Sequence, residues 1–130
     1  MVVKRVLIAD DSEPIRELIR RLLEHRLDLE ICAEATDGRE TLEWALAIQP
    51  DLIVLDVLMP LLNGVEVASV LKKNLPSCKI ILFTMYGEYV RSLAFAAGVD
   101  IVLPKPDGLS PLAEAVDRML QELGSEPISP

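Results

Sequence analysis

The residues most able to do chemistry stand where apolar runs stop. Asp10 and Asp11 close the run from Lys4 to Ala9, Asp56 closes Leu52 to Leu55, Thr84 follows Lys79 to Phe83, and Lys105 comes after Ile101 to Leu103 by way of Pro104. Carboxylates gathered at one edge would repel one another and raise their own pKa values unless a divalent cation were shared among them. Mg²⁺ suits such a set, because it prefers hard oxygen ligands and keeps positions for water and phosphate oxygens. With that cation, Asp56 can act as a carboxylate nucleophile on phosphorus and carry the phosphoryl group as an acyl phosphate. Phosphoryl transfer asks chiefly for positioning and for neutralisation of charge on the equatorial oxygens, which Lys105 and the cation would supply. The Thr84 hydroxyl can donate a hydrogen bond to a phosphoryl oxygen, which makes it a natural sensor of the attached group.

The elements that must position these residues read as alternating strands and helices. Lys4 to Ala9, Leu29 to Ala35, Leu52 to Leu55, Lys79 to Phe83 and Ile101 to Leu103 are apolar runs of the kind expected for short buried strands. Ile15, Leu18, Ile19, Leu22 and Leu23 fall on one helical face, as do Leu109, Leu112, Ala113, Val116, Met119, Leu120 and Leu123. Thr41 to Ile48, Val65 to Leu75 and Glu88 to Ala97 complete the helices, the last two followed by breakers at Pro76 and Gly98. With almost no spare linker, right-handed crossovers give an α/β fold, a doubly wound parallel sheet covered on both faces. In such sheets ligands gather at the carboxyl ends of the strands, which is where the polar residues stand.

A chain of 130 residues with 51% hydrophobic side chains can build one domain with a real core. Residues 1–123 are expected to form it, with 124–130 as a flexible tail or linker stub. The apolar runs fall far short of the roughly 20 residues of a membrane-spanning helix, and Met1 to Arg5 has no signal-peptide pattern, so a cytoplasmic location is expected. A net charge of −8 argues against nucleic-acid binding by this domain alone. Cys32 and Cys78 lack metal or redox spacing and read as reduced core thiols.

Asp10-Asp11-Ser12, Asp56-Val57-Leu58-Met59-Pro60 with Gly64 following, Thr84, and Leu103-Pro104-Lys105-Pro106 together resemble the receiver domain of two-component response regulators, chemotaxis-type receivers among them. Each element alone is weak; five in order at strand ends are specific. The resemblance covers residues 4 to about 123. It implies a flavodoxin-like (βα)5 fold with five parallel strands in the order 2-1-3-4-5. It implies Mg²⁺ held directly by Asp11 and Asp56, by Asp10 through water, and by the backbone carbonyl of Leu58. The donor would be a phosphohistidine on a sensor histidine kinase or phosphotransfer protein, and phosphorylation of Asp56 would shift an equilibrium between surfaces that a protein effector distinguishes. Tyr86, Val102 and Pro106 fall in the switch region. Where receivers usually carry Tyr or Phe, this chain has Val102, too small to swing inward. Family members usually hold the Lys-Pro peptide cis, although trans is the default for Lys105-Pro106 on sequence alone. A monomer or a phosphorylation-dependent homodimer is expected.

Plainer readings stand beside these. Asp10 and Asp11 could be a solvated strand end leading to an N-cap at Ser12, Asp56 a turn acid and Thr84 a strand terminus. His25 suits the end of a helix, Trp44 an amphipathic boundary, and Phe83, Val90 and Phe95 the core. Leu58, Met59, Leu61 and Leu62 are apolar in a loop that should border the site, which fits either a partner contact or a loop folded back on itself. An Mg²⁺-dependent phosphatase of the haloacid dehalogenase type needs a second acid two residues after its nucleophile, where this chain has Leu58 or Ser12. A flavodoxin-like nucleotide carrier needs a Gly/Ser/Thr-rich loop where Asp10 to Glu13 would repel phosphate. A switch that catalyses only its own phosphorylation and dephosphorylation is therefore expected rather than an enzyme. Two forms of it stay open: a stand-alone receiver, or the N-terminal receiver fragment of a longer DNA-binding transcription regulator.

Overall fold

The computed structural model describes residues 2–124. The elements alternate as β1 (Lys4–Ala9), α1 (Glu13–Leu23), β2 (Leu29–Ala35), α2 (Gly38–Ile48), β3 (Leu52–Leu55), α3 (Gly64–Asn74), β4 (Lys79–Thr84), α4 (Gly87–Ala96), β5 (Ile101–Pro104), a short 3₁₀ turn (Lys105–Asp107) and α5 (Leu109–Gly124). The five strands pair in parallel in the order β2-β1-β3-β4-β5, as expected.

Side chains alternate across a strand, so each strand feeds both faces of the sheet. Leu7, Ala9, Ile53, Leu55, Ile80 and Leu82 pack on one face with Ala45, Val67, Ala68, Leu71 and Ala94 from α2, α3 and α4. Val6, Ile8, Leu52, Val54, Ile81 and Phe83 pack on the other with Ile19, Leu23, Leu112, Val116 and Met119 from α1 and α5. The three central strands are thus buried from both sides, which explains why they read as unbroken apolar runs.

Local chemistry sets the helix starts. The Ser12 hydroxyl accepts from the Ile15 N–H ahead of Pro14 in the first turn of α1, and Asn63 and Glu66 form a reciprocal capping box on α3. Helix α2 begins at Gly38, three residues ahead of the expected Thr41, because the Asp37 carboxylate accepts from the Glu40 N–H at 2.7 Å and caps it there.

Several expectations are corrected. β2 is an edge strand and only its end residues are buried; Cys32 is half-buried, at a register shift against β1, with its thiol donating to the Val6 carbonyl at 3.3 Å. Cys78 is buried, and desolvation pushes its thiol up to about 12. Phe95 is exposed on α4 with Arg91 over its ring, because it lies one residue past Ala94, which takes the core-facing position. Phe83 is buried and Val90 packs against the core. Gly124 continues α5, and the rest of the expected tail, 125–130, lies outside the described residues. His25 is exposed in the turn after α1, and Trp44 is partly exposed on α2. No helix among the described residues is long and apolar enough to cross a membrane.

Candidate functional site

In the order 2-1-3-4-5 the chain reverses direction across the sheet between β1 and β3, and the carboxyl ends of those strands flank the natural crevice. Asp10 follows β1 and Asp56 follows β3, with Ala9 and Leu55 in register just before them. The Asp56 N–H donates to the Ala9 carbonyl at 2.9 Å and the Asp10 N–H to the Ala35 carbonyl at 3.1 Å, so both acids extend the ladder. A carboxylate oxygen from each of Asp10, Asp11 and Asp56 lies within 4.8 Å of the others. Asp10 and Asp56 are buried, whereas Asp11 is exposed at the rim.

Lys105 enters from the end of β5. Its ammonium sits 2.7 Å from Asp10 Oδ2 and 3.1 Å from Asp56 Oδ2, while Asp56 Oδ1 accepts from the Val57 N–H at 2.7 Å. Burial pushes the Asp10 carboxyl above its ordinary range, partly offset by the Lys105 hydrogen bond. Burial alone would lower the Lys105 pKa, yet its bonds and proximity to Asp10 and Asp56 raise it on balance, so the ammonium stays charged. Lys105-Pro106 is trans, as is every peptide bond among the described residues. The usual cis form implied by the resemblance is not needed for reach, since the 3₁₀ turn starting at Lys105 already directs its side chain to the acids.

Thr84 ends β4 in register with Pro104 and is fully buried; its Oγ1 accepts from the Tyr86 N–H at 3.3 Å, leaving its own proton free to be donated. Val102 is buried in β5, and Tyr86 is partly exposed just ahead of α4. The loop after Asp56 divides: Met59 and Leu62 fold back onto the core, while Leu58 and Leu61 face solvent, Leu61 with a φ of 74°. Gly64 lets this loop close, because a Cβ there would strike the Asp56 carbonyl, and its N–H donates to Val57 at 2.9 Å.

Arg16 also belongs to this edge: its guanidinium donates to the Asp10 carbonyl at 2.8 Å. Its only signal in the sequence is a cation one helical turn beyond the Ser12 cap.

The donor set is all hard oxygen, which fits Mg²⁺ and not a thiophilic metal. Sheet and site together define the class: a flavodoxin-like (βα)5 protein with an acidic pocket and one lysine at its topological switch point. The profile of the response regulator receiver domain matches residues 6–117. Response regulator protein VraR of Staphylococcus saprophyticus is 36% identical over 115 residues, covering 86% of this chain and 54% of that protein. The chain therefore spans about half the length of the curated relatives it matches. Among solved structures, the REC domain of AraT, a response regulator from Geobacillus stearothermophilus, superposes with a TM-score of 0.86 at 35% identity, covering 95% of this chain and 97% of that one. Response regulator TrrA from Thermotoga maritima, solved in complex with Mg²⁺-BeF, matches with a TM-score of 0.80 at 35% identity, covering 90% and 99%. The chain belongs to the response regulator receiver family.

Proposed function

We propose that Asp56 accepts a phosphoryl group from a phosphohistidine on a sensor histidine kinase or phosphotransfer protein, and that the resulting change of surface is read by a protein effector. The observation that carries this is the convergence of Asp10, Asp11 and Lys105 on Asp56 at the β1/β3 switch point.

Asp11, Asp56, Asp10 and the Leu58 carbonyl would hold Mg²⁺, which supplies charge neutralisation for the incoming phosphoryl oxygens. The remaining work falls to the chain. Asp56 offers a carboxylate oxygen as nucleophile, its orientation set by the Val57 N–H on the other oxygen. In the exchange the phosphorus–nitrogen bond of the donor breaks, a carboxylate–phosphorus bond forms, and the imidazole leaves with the bond pair and takes a proton. Lys105 is already aimed at Asp56 and would turn its ammonium to a phosphoryl oxygen. The Thr84 proton, free in this state, would be donated to another, drawing on the same Oγ1 that holds Tyr86.

Incubation with acetyl phosphate and Mg²⁺ should add one phosphoryl mass, and Asp56→Asn should abolish it. Undiminished labelling of that variant would remove Asp56 from the role.

A further inference from the structure

The Asp10 carbonyl is the first beyond β1, at the point where the chain turns toward α1. It accepts from Arg16 Nη1 at 2.8 Å. Arg16 is itself held from behind: its Nε lies 3.3 Å from Oε1 of Glu34 on β2, and Arg20 grips the same carboxylate at 2.7 and 2.9 Å. The Arg16 side chain is 13% exposed, so its guanidinium is enclosed between α1, the edge strand and the β1 terminus.

The neighbouring acids differ in how they are fixed. Asp10 has its side chain secured at both oxygens, by the Ser12 N–H at 2.9 Å and by Lys105 at 2.7 Å. Asp56 is secured by Val57 and Lys105. The exposed Asp11 carboxylate has no side-chain hydrogen bond or ion pair among the described residues. Its place is set only by the backbone that carries it. Because the peptide unit is planar, fixing the Asp10 carbonyl fixes the direction in which the chain enters Asp11.

Building on the reading above, we propose that Arg16, buttressed by Glu34, is a positioning residue for divalent-cation binding. By holding the Asp10–Asp11 peptide it presents the Asp11 carboxylate to the cation shared with Asp56. Without that bond the peptide rotates toward water, and the cation must order Asp11 as it binds. Groups that orient metal ligands in this way typically change affinity by about 10-fold to 100-fold when removed. A clamp between α1 and β2 with no link to the cation would instead change stability alone.

The test is calorimetric Mg²⁺ titration of the full chain as wild type, Arg16→Met, Arg16→Lys and Glu34→Gln, with urea denaturation in Mg²⁺-free buffer alongside. Arg16→Met should weaken Mg²⁺ binding by about 10-fold or more. It should raise by the same factor the Mg²⁺ concentration that half-saturates acetyl phosphate labelling, with the rate at saturating Mg²⁺ nearly unchanged. Arg16→Lys, which can still donate to the carbonyl, should recover part of the affinity, and Glu34→Gln should fall between it and wild type. Lower stability of Arg16→Met with unchanged Mg²⁺ affinity would overturn the proposal. So would a lower maximal rate with unchanged half-saturation. A wild-type chain that neither binds Mg²⁺ nor is labelled at Asp56 would overturn the site reading and this proposal with it; wild-type binding with an unaffected Arg16→Met variant overturns the role of Arg16 alone.

Discussion

The Lys105 ammonium lies 3.1 Å from Asp56 Oδ2, on the oxygen that the Val57 N–H leaves free. The same ammonium meets Asp10, so one largely buried cation faces two buried carboxylates. Removing one partner of a buried pair leaves uncompensated charge, at a cost of about 3–5 kcal/mol where the site cannot relax. Here the rim is open at Asp11, so the lower end applies. Lys105→Met should lose roughly 3 kcal/mol of stability in Mg²⁺-free buffer, and saturating Mg²⁺ should stabilise this variant more than wild type, because the ion takes over the missing charge. Urea denaturation with and without Mg²⁺ measures both. An equal Mg²⁺ increment in the two proteins would contradict the charge-balancing role.

Acid should loosen the α1–β2–α5 corner. The Arg26 hydrogen bond holds the Asp28 carboxyl below its ordinary value of 3.8, and Arg26 also reaches Asp117 on α5 at 3.0 Å. A carboxyl depressed in the folded state contributes stability that is present above the unfolded pKa and lost as pH falls through the folded one. Asp28 is partly exposed, so the effect is modest. The slope of stability against pH below about 4 should be shallower in Asp28→Asn than in wild type, measured by urea denaturation across that range. Parallel slopes would show that the pair adds nothing.

The sheet order followed from the receiver resemblance; the strands and their end residues were legible because burial on both faces writes itself as unbroken apolar runs at β3 and β4, and polar residues interrupt such runs only where the strands end. Three features were not. Phe95 is apolar in type, yet helical phase puts Ala94 inward, and composition cannot resolve neighbours one residue apart. The pairing of Lys105 with Asp10 joins residues from opposite ends of the chain and depends on the geometry of the 3₁₀ turn at Lys105, which no local pattern specifies. The hold of Arg16 on the Asp10 carbonyl is a side-chain-to-backbone contact across a loop, and a helical arginine usually reads as solvated surface.

Val102 is predicted to be a packing residue rather than a moving part. It is buried in β5 beside Leu82 and belongs to the core on the face covered by α2, α3 and α4. Val102→Ala should cost about 2 kcal/mol of stability from lost burial and the space left behind. It should nevertheless keep the amide NMR shift changes from Thr84 to Glu88 that acetyl phosphate and Mg²⁺ produce in wild type. Their disappearance from a variant shown to be folded and phosphorylated would assign the switch to position 102.

The phosphorylated state should be long-lived, because of the residues that follow Asp56 and Thr84. Hydrolysis of an acyl phosphate requires a water held in line with the leaving carboxylate, and polar side chains at the rim can orient one. Leu58 and Tyr86 lie two residues beyond Asp56 and Thr84 in the chain, and each is about half exposed, with relative accessibilities of 53% and 45%. Leu58 offers no hydrogen bond. Tyr86 has a hydroxyl, but with its backbone tied to Thr84 its ring can lie across the phosphoryl group and exclude solvent. The pair therefore slows attack both by crowding and by failing to position water. Replacing it by Leu58→Asn with Tyr86→Glu should speed self-dephosphorylation by roughly 10-fold, the scale of a modest contribution to water positioning, with phosphoryl uptake less affected. Decay of each phosphoprotein in Mg²⁺ buffer after removal of acetyl phosphate gives the comparison. Equal decay rates, or a slower double variant, would show that these side chains do not control the access of water.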